Sequence, residues 1–382
     1  MSYWIQHGYG KGDKISNVIG TGVVDGVILS PADEMPDALK SYVSDLKAGG
    51  VRALLDPQLY VHTITNGVGR CHGDHGLDFD DVHWSADPKT ISKHVRAVVK
   101  ANNQLGLDQI CAPTPVQGTF GDTWTPLSLQ YARAVADSVG EQRTIASVVF
   151  DESALGQPWT DIEDWLDAAT KLKVRGFYLI CVRQGNSYPL AWSTQRLTQL
   201  LRLIYRLAGP NEYEVILGYS DVEGLAACAL GASMATGWFY SQRRFTEAKW
   251  RPTKGGSPAL ARFTSDRLLV PLLADEARAL VARGYESEVH SLSSERQRLR
   301  AGYGISESRS QHLRTMGRMA KRYSTGSSET GKVALLNAAL TRAEATLRTL
   351  ATQVLPGATT YANQISAVRT SLSAAAESEG VL

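Results

Sequence analysis

The chain has 382 residues, 43% hydrophobic and 20% charged, with a formal net charge of +2. Such a chain can bury a full core, which excludes wholesale disorder, and its charge balance is too mild to declare a nucleic-acid binder from the total. Cys71, Cys111, Cys181 and Cys228 are scattered, which excludes a CxxC zinc site or a disulfide scaffold and fits a reducing, cytoplasmic setting; no apolar run is long enough for a membrane span.

In chain order, apolar runs closed by turn residues predict strands, and 3.6-residue periodicity predicts helices. The strands fall at Tyr3–Gln6, Val23–Leu29, Arg52–Leu55, Gln109–Ala112, Ile145–Phe150, Gly176–Val182, Tyr213–Leu217 and Ser233–Thr236. Helices are expected near Met35–Lys47, Thr90–Gln104, Pro126–Val139, Trp159–Lys171, Ser193–Leu207 and Val222–Leu230. Alternating strands and helices imply a parallel sheet, and eight such units in about 240 residues suggest a closed (β/α)8 TIM-like barrel rather than an open doubly wound sheet. The composition changes after Trp250. The run 251–258 reads as a linker between a barrel of residues 1–250 and a C-terminal helical extension of residues 259–382. Helical segments there are expected near Asp275–Ala282, Ser294–Arg300, Ser308–Tyr323 and Lys332–Val354, with one more after Pro356.

Parallel barrels carry their sites at the carboxyl ends of the strands. Asp56 and Asp151 each follow a buried strand, where a carboxylate is costly unless it is paired or faces a cleft. Two carboxylates converging on one mouth can divide the work of nucleophile and general acid or base. The competing reading is that each caps its own loop. His7, Gln58, Gln117, Glu152, Arg183, Tyr219 and Asp221 fall at neighbouring strand ends.

Leu54-Leu55-Asp56-Pro57-Gln58-Leu59-Tyr60 resembles the strand-end LLxDSGGF motif of the queuine/archaeosine tRNA-guanine transglycosylases. Val116-Gln117-Gly118 is similar to their VVQGG segment, and the run from Ile216 to Met234 resembles their MGVGxPxDLVxAVxRGVDMFD segment. The resemblance implies base exchange in a nucleic acid, guanine for a 7-deazaguanine. Asp56 would recognise or deprotonate the free base, and Gln117 with Gly118 would bind it. The family's nucleophilic Asp falls at Thr236, its glycine pair is replaced by Pro57-Gln58, and its CxCxxC zinc motif is missing. These departures suggest a divergent branch like the DNA-acting transglycosylases, so DNA is slightly favoured over tRNA and no zinc or other cofactor is expected. We assign the attack on the sugar to Asp151. Gln58, Tyr60, Glu152, Arg183, Tyr219 and Trp238 would complete the pocket, the aromatic rings stacking on a flipped-out base.

Cys71-His72-Gly73-Asp74-His75-Gly76-Leu77-Asp78 is the densest run of metal-ligand types, and His72, His75 and Asp78 would serve a metal-assisted hydrolase, the first alternative. The second is a catalytically inactive barrel that binds nucleic acid or a partner. Basic residues crowd 295–322; Arg314, Arg318, Lys321 and Arg322 recur at helical spacing. With Arg243, Arg244, Lys249, Arg251 and Lys254 they would hold a phosphate backbone, unless they form an ordinary solvated face. A homodimer or a partner subunit stays open.

Overall fold

A computed structural model of the chain describes residues 2–8, 13–64, 71–77, 84–185, 187–250, 259–326 and 328–382. All eight expected strands are present, and one short strand is added. They are β1 (Tyr3–Gln6), β2 (Gly26–Leu29), β3 (Arg52–Leu55), β4 (Ile110–Cys111), β5 (Val116–Gln117), β6 (Thr144–Asp151), β7 (Gly176–Val182), β8 (Glu214–Leu217) and β9 (Ser233–Thr236). They pair in parallel in the order β3-β2-β1-β9-β8-β7-β6-β4, with β5 extending the edge of β6. The result is a nearly closed eight-stranded α/β barrel wrapped in helices. Among the described residues the seam between β3 and β4 carries no ladder; the Arg52 guanidinium donates across it to Gln109 Oε1 instead.

Alternation decides which side chains fill the barrel and which meet the helices. Trp4, Ile28, Leu54, Cys111, Ile145, Val149, Tyr178, Ile180, Ile216 and Ala235 pack together inside. Tyr3, Ile5, Val27, Leu29, Leu55, Phe150, Phe177, Leu179, Leu217 and Met234 join the outer layer. Gly218 leaves room for the Tyr178 ring, since a Cβ there would lie 2.5 Å from Cε2. The floor holds the Arg52–Glu214 pair at 2.5 Å and the Arg175–Glu214 pair at 2.9 Å.

The helices follow their local signals. Helix Pro88–Leu105 starts on Asp87, whose carboxylate accepts from the Thr90 amide at 2.9 Å, and stops at Gly106 with φ 71°. Beyond the linker the expectation of helices alone is corrected. Arg262–Ser265 (β10) and Val270–Leu273 (β11) form an antiparallel hairpin. Its turn places Leu269 at φ 56°, a left-handed conformation with no glycine or asparagine to announce it. Helices Ala274–Ala282, Ser293–Arg300, Ile305–Ser324, Glu329–Gln353 and Ala358–Ser378 complete the chain.

Helix Ile305–Ser324 packs on β1 and β9, with Gly317 set against Tyr3 and Val23, so it occupies the place of the barrel's eighth helix. Helix Ala358–Ser378 lies on helix Thr194–Ala208, where Ser371 Oγ donates to the Thr194 carbonyl at 3.0 Å. One apolar core runs from the outer barrel layer into these helices. No helix among the described residues is long and apolar enough to cross a membrane.

Candidate active site

Strand parity sorts the expected site residues. Asp56 follows inward Leu54 by two positions, and Asp151 follows inward Val149 by two, so both carboxylates turn toward the barrel axis at the carboxyl ends of their strands. The structure separates them by what covers each.

Asp56 is fully buried. Tyr60 Oη donates to its Oδ2 at 2.8 Å, and the Gln58 amide donates to Oδ1 at 3.1 Å. Tyr178 Oη lies 3.5 Å from Oδ2 and donates to Gln6 Oε1 at 2.9 Å. Gln58, at φ 54°, accepts from Ser30 Oγ at 2.9 Å and donates to Tyr219 Oη at 3.3 Å. Burial, and next the negative charge of Asp56, push the Tyr60, Tyr178 and Tyr219 hydroxyls well above the ordinary tyrosine range, so they stay protonated donors. The segment after β9 folds back over this network. Phe245 pairs with Val182, the Arg183 amide donates to its carbonyl at 2.7 Å, and its ring meets Tyr60 and Tyr219 edge-on at 5.5 and 5.1 Å.

Asp151 lies on the open side of that cover. Its Oδ1 accepts from the Ser153 amide at 2.7 Å, from Ser153 Oγ at 2.5 Å and from Gln184 Nε2 at 3.0 Å. Among the described residues Oδ2 accepts no hydrogen bond. Asp151, Val182, Arg183, Gln184, Thr246 and Glu247 line a cavity of about 500 Å³. Behind this wall Arg183 Nε pairs with buried Glu152 Oε2 at 2.9 Å and stacks 3.4 Å over the Trp192 ring; Arg196 reaches the other Glu152 oxygen at 3.4 Å. Glu152 and Arg183 therefore stiffen the cavity rather than wait unpaired for a ligand.

Several expected residues face elsewhere. Gln117 pairs with outward Phe150, and its Oε1 accepts from Thr125 Oγ1 at 3.0 Å, so the amide turns to helix Trp124–Val139 and not to the mouth. The Gly118 amide donates to the Asp122 carboxylate at 2.7 Å within the same loop. Thr236 pairs with outward Ile5. The next inward position, just past the end of β9, is Gly237, where a Cβ would lie 2.6 Å from Gln242 Oε1 and 2.7 Å from the Gln6 carbonyl. Trp238 packs outward, edge-on to His7 at 6.0 Å. Gln184 was not singled out from the sequence; its one signal was its place directly after the strand-end Arg183.

Two arginines of the expected basic face have acid partners. Arg314 pairs with Glu295 at 3.3 Å and with Glu307 at 2.6 Å, and Arg318 reaches Glu295 at 3.4 Å. These guanidiniums are held by Glu307 of their own helix and Glu295 of helix Ser293–Arg300, so they are not an unpaired phosphate-gripping face. Lys321 and Arg322 are exposed at the carboxyl end of helix Ile305–Ser324. Helices run antiparallel to the strands of such a barrel, and this one is about 30 Å long, so that end lies away from the mouth. Arg243 is buried, donating to the carbonyls of Gly237 and Trp238 and to Tyr188 Oη. Arg244 is half-buried beside Tyr188.

His72 is buried, and His75 Nε2 lies 2.9 Å from the Glu34 carbonyl. Asp78, Arg251, Lys254 and the side chain of Lys249 lie outside the described residues. Among the described residues no three His, Cys, Asp or Glu side chains gather as a metal site. The four cysteines are buried free thiols. Comparison with protein-family models and with curated proteins gives no match.

Proposed function

We propose that this chain is a base-exchange transglycosylase that replaces guanine in a nucleic acid with a 7-deazaguanine, with DNA preferred to tRNA, acting in the cytoplasm. One observation carries the reading. Asp151 Oδ1 is held by three donors, while Oδ2 accepts none among the described residues and belongs to a residue lining a cavity of about 500 Å³ at the carboxyl ends of β6 and β7. That volume lies within the range of small-molecule sites.

Asp151 Oδ2 attacks C1′ of a flipped-out nucleotide; the C1′–N9 bond breaks and its electron pair leaves with guanine, which takes up a proton. The incoming base, having lost its N9 proton, attacks the same carbon and displaces the carboxylate. Gln184, fixed to Asp151, is the amide placed to meet a base edge, in the role first assigned to Gln117. Asp56 is the acceptor for the base, and serves it once the Phe245, Tyr60 and Tyr219 rings part. A second reading, a catalytically silent barrel, is favoured by that same seal over Asp56.

Incubation with radiolabelled guanine or 7-cyano-7-deazaguanine, separately with DNA and with tRNA, decides between them. Label entering DNA with wild-type protein, and none with folded Asp151→Asn, is the expected result. Full incorporation by Asp151→Asn removes it as nucleophile, and no incorporation into either polymer by wild type leaves the silent barrel.

A further inference from the structure

The loop after β9 and the start of helix Ile305–Ser324 meet in a narrow cleft lined by Trp238, Phe239, Tyr240, Arg243, Leu260 and Arg309. The Arg309 guanidinium lies 4.3 Å over the Phe239 ring and, among the described residues, has no ion pair or side-chain hydrogen bond. Tyr188 stacks on Tyr240 at 4.3 Å, and Arg243 and Arg262 flank both rings at 5.1–5.6 Å with, among the described residues, no carboxylate at ion-pair distance. The acid of this corner is Asp221, buried and accepting from Tyr188 Oη at 2.6 Å. Burial, then the charge of Arg243, lowers the proton affinity of Arg309; burial, then Arg309, does the same to Lys14. Like charges have converged here on a half-exposed rim, an arrangement that an anion relieves. The rim is also apolar, with Leu260 60% and Ile305 40% exposed.

We infer that this cleft binds a single nucleic-acid strand next to the nucleotide being exchanged. A phosphodiester sits on Arg309 and a base rests against Phe239, Leu260 and Ile305. Cations interleaved with aromatic rings are the chemistry that takes a polyanion carrying flat bases. The choice of nucleic acid as the polyanion rests on the base-exchange reading, and the cleft lies on the face of the barrel where the β9 loop begins.

The test is fluorescence anisotropy of a short labelled single-stranded DNA over a salt series, with inorganic phosphate and poly-glutamate as competitors. Arg309→Glu is expected to weaken binding about tenfold or more and to lower the slope of log K against log salt by about one. Phe239→Ala is expected to weaken binding about fivefold with the slope unchanged, because it removes stacking and not charge. Arg133→Glu, an exposed cation on helix Trp124–Val139, serves as the remote control. Equal losses in Arg309→Glu and Arg133→Glu, unchanged binding in Arg309→Glu, or displacement by phosphate or poly-glutamate as effective as by unlabelled DNA overturns the inference. Label incorporation is measured on the same proteins. Cleft-dependent binding without incorporation refutes the exchange reaction alone, and incorporation untouched by Arg309→Glu refutes the cleft alone.

Discussion

Glu295 offers the sharpest test of whether the basic C-terminal helices are structural or nucleic-acid-facing. Its side chain is 3% exposed and faces Arg314, Arg318 and Arg298, whose side chains are 11%, 32% and 50% exposed. Removing one partner of a buried pair costs about 3–5 kcal/mol. Arg314 keeps Glu307 at 2.6 Å, and Arg298 is half in solvent, so Glu295→Gln is expected to cost about 2–4 kcal/mol. Burial pushes the Glu295 carboxyl up, but the Arg314 bonds and the charges of Arg314 and Arg318 outweigh it and hold the group below its ordinary value of 4.5. A depressed folded value means that the stabilisation is fully present above pH 4.5 and is lost as pH falls through the folded value. Urea unfolding from pH 7 down to 3 should show a steeper acid loss in wild type than in Glu295→Gln. Arg314→Met should lose stability while leaving the salt dependence of DNA binding unchanged. A loss under about 0.5 kcal/mol in Glu295→Gln, or a shallower salt slope in Arg314→Met, would refute the structural assignment.

Tyr60→Phe removes the hydroxyl that donates to buried Asp56 at 2.8 Å, and should cost about 1–3 kcal/mol in urea titration; no loss would mean that another donor takes its place. Gly317→Ala puts a Cβ 2.7 Å from Val23 Cγ2 and 2.9 Å from Tyr3 Cδ1 and should cost about 1–3 kcal/mol, whereas Gly20→Ala enters open space at φ −59° and should be neutral or slightly stabilising. Melting curves showing similar changes for the two would contradict the packing of the eighth helix. His94 is lowered to about 4, by burial first and then by the charges of Lys93 and His62. The unfolded chain therefore takes the proton first, and stability should fall as pH drops from about 6.5 to 4, by an amount of the order of 3 kcal/mol. His94→Phe should flatten that interval, and an unchanged pH profile would count against it.

The eight strands were legible because each is an apolar run closed by a turn residue. Asp56 and Asp151 were legible because a carboxylate at such a strand end needs a reason. Which way a strand-end side chain faces was not legible. Parallel barrel strands are apolar on both faces, so the sequence carries no alternation to read, and only pairing reveals that Asp151 shares parity with Val149 while Gln117 shares it with Phe150. The β10–β11 hairpin was hidden by a turn through Leu269 at positive φ. The helical spacing of Arg314 and Arg318 was visible, but their acid Glu295 stands on another helix, and no periodicity within one segment shows that.

The seal over Asp56 bears directly on the exchange reading. In the sealed state the carboxylate is buried and held on both oxygens by protein donors, which suits storage and not reaction. Among the described residues the backbone of Phe245 is joined to the barrel by its bridge to Val182, which includes the Arg183 amide bond, and its ring is held by burial against Tyr60, Tyr219 and Trp250. Exposing the Phe245 ring alone costs about 1.5–3 kcal/mol, an open fraction of roughly 0.6–8% before the cost of parting Tyr60 and Tyr219 is added. A base stacking where Phe245 lay would recover that part of the cost. Under the proposed exchange reading, Asp151, which lines the cavity, would engage the sugar before Asp56 meets the base, the order following from which carboxylate is covered.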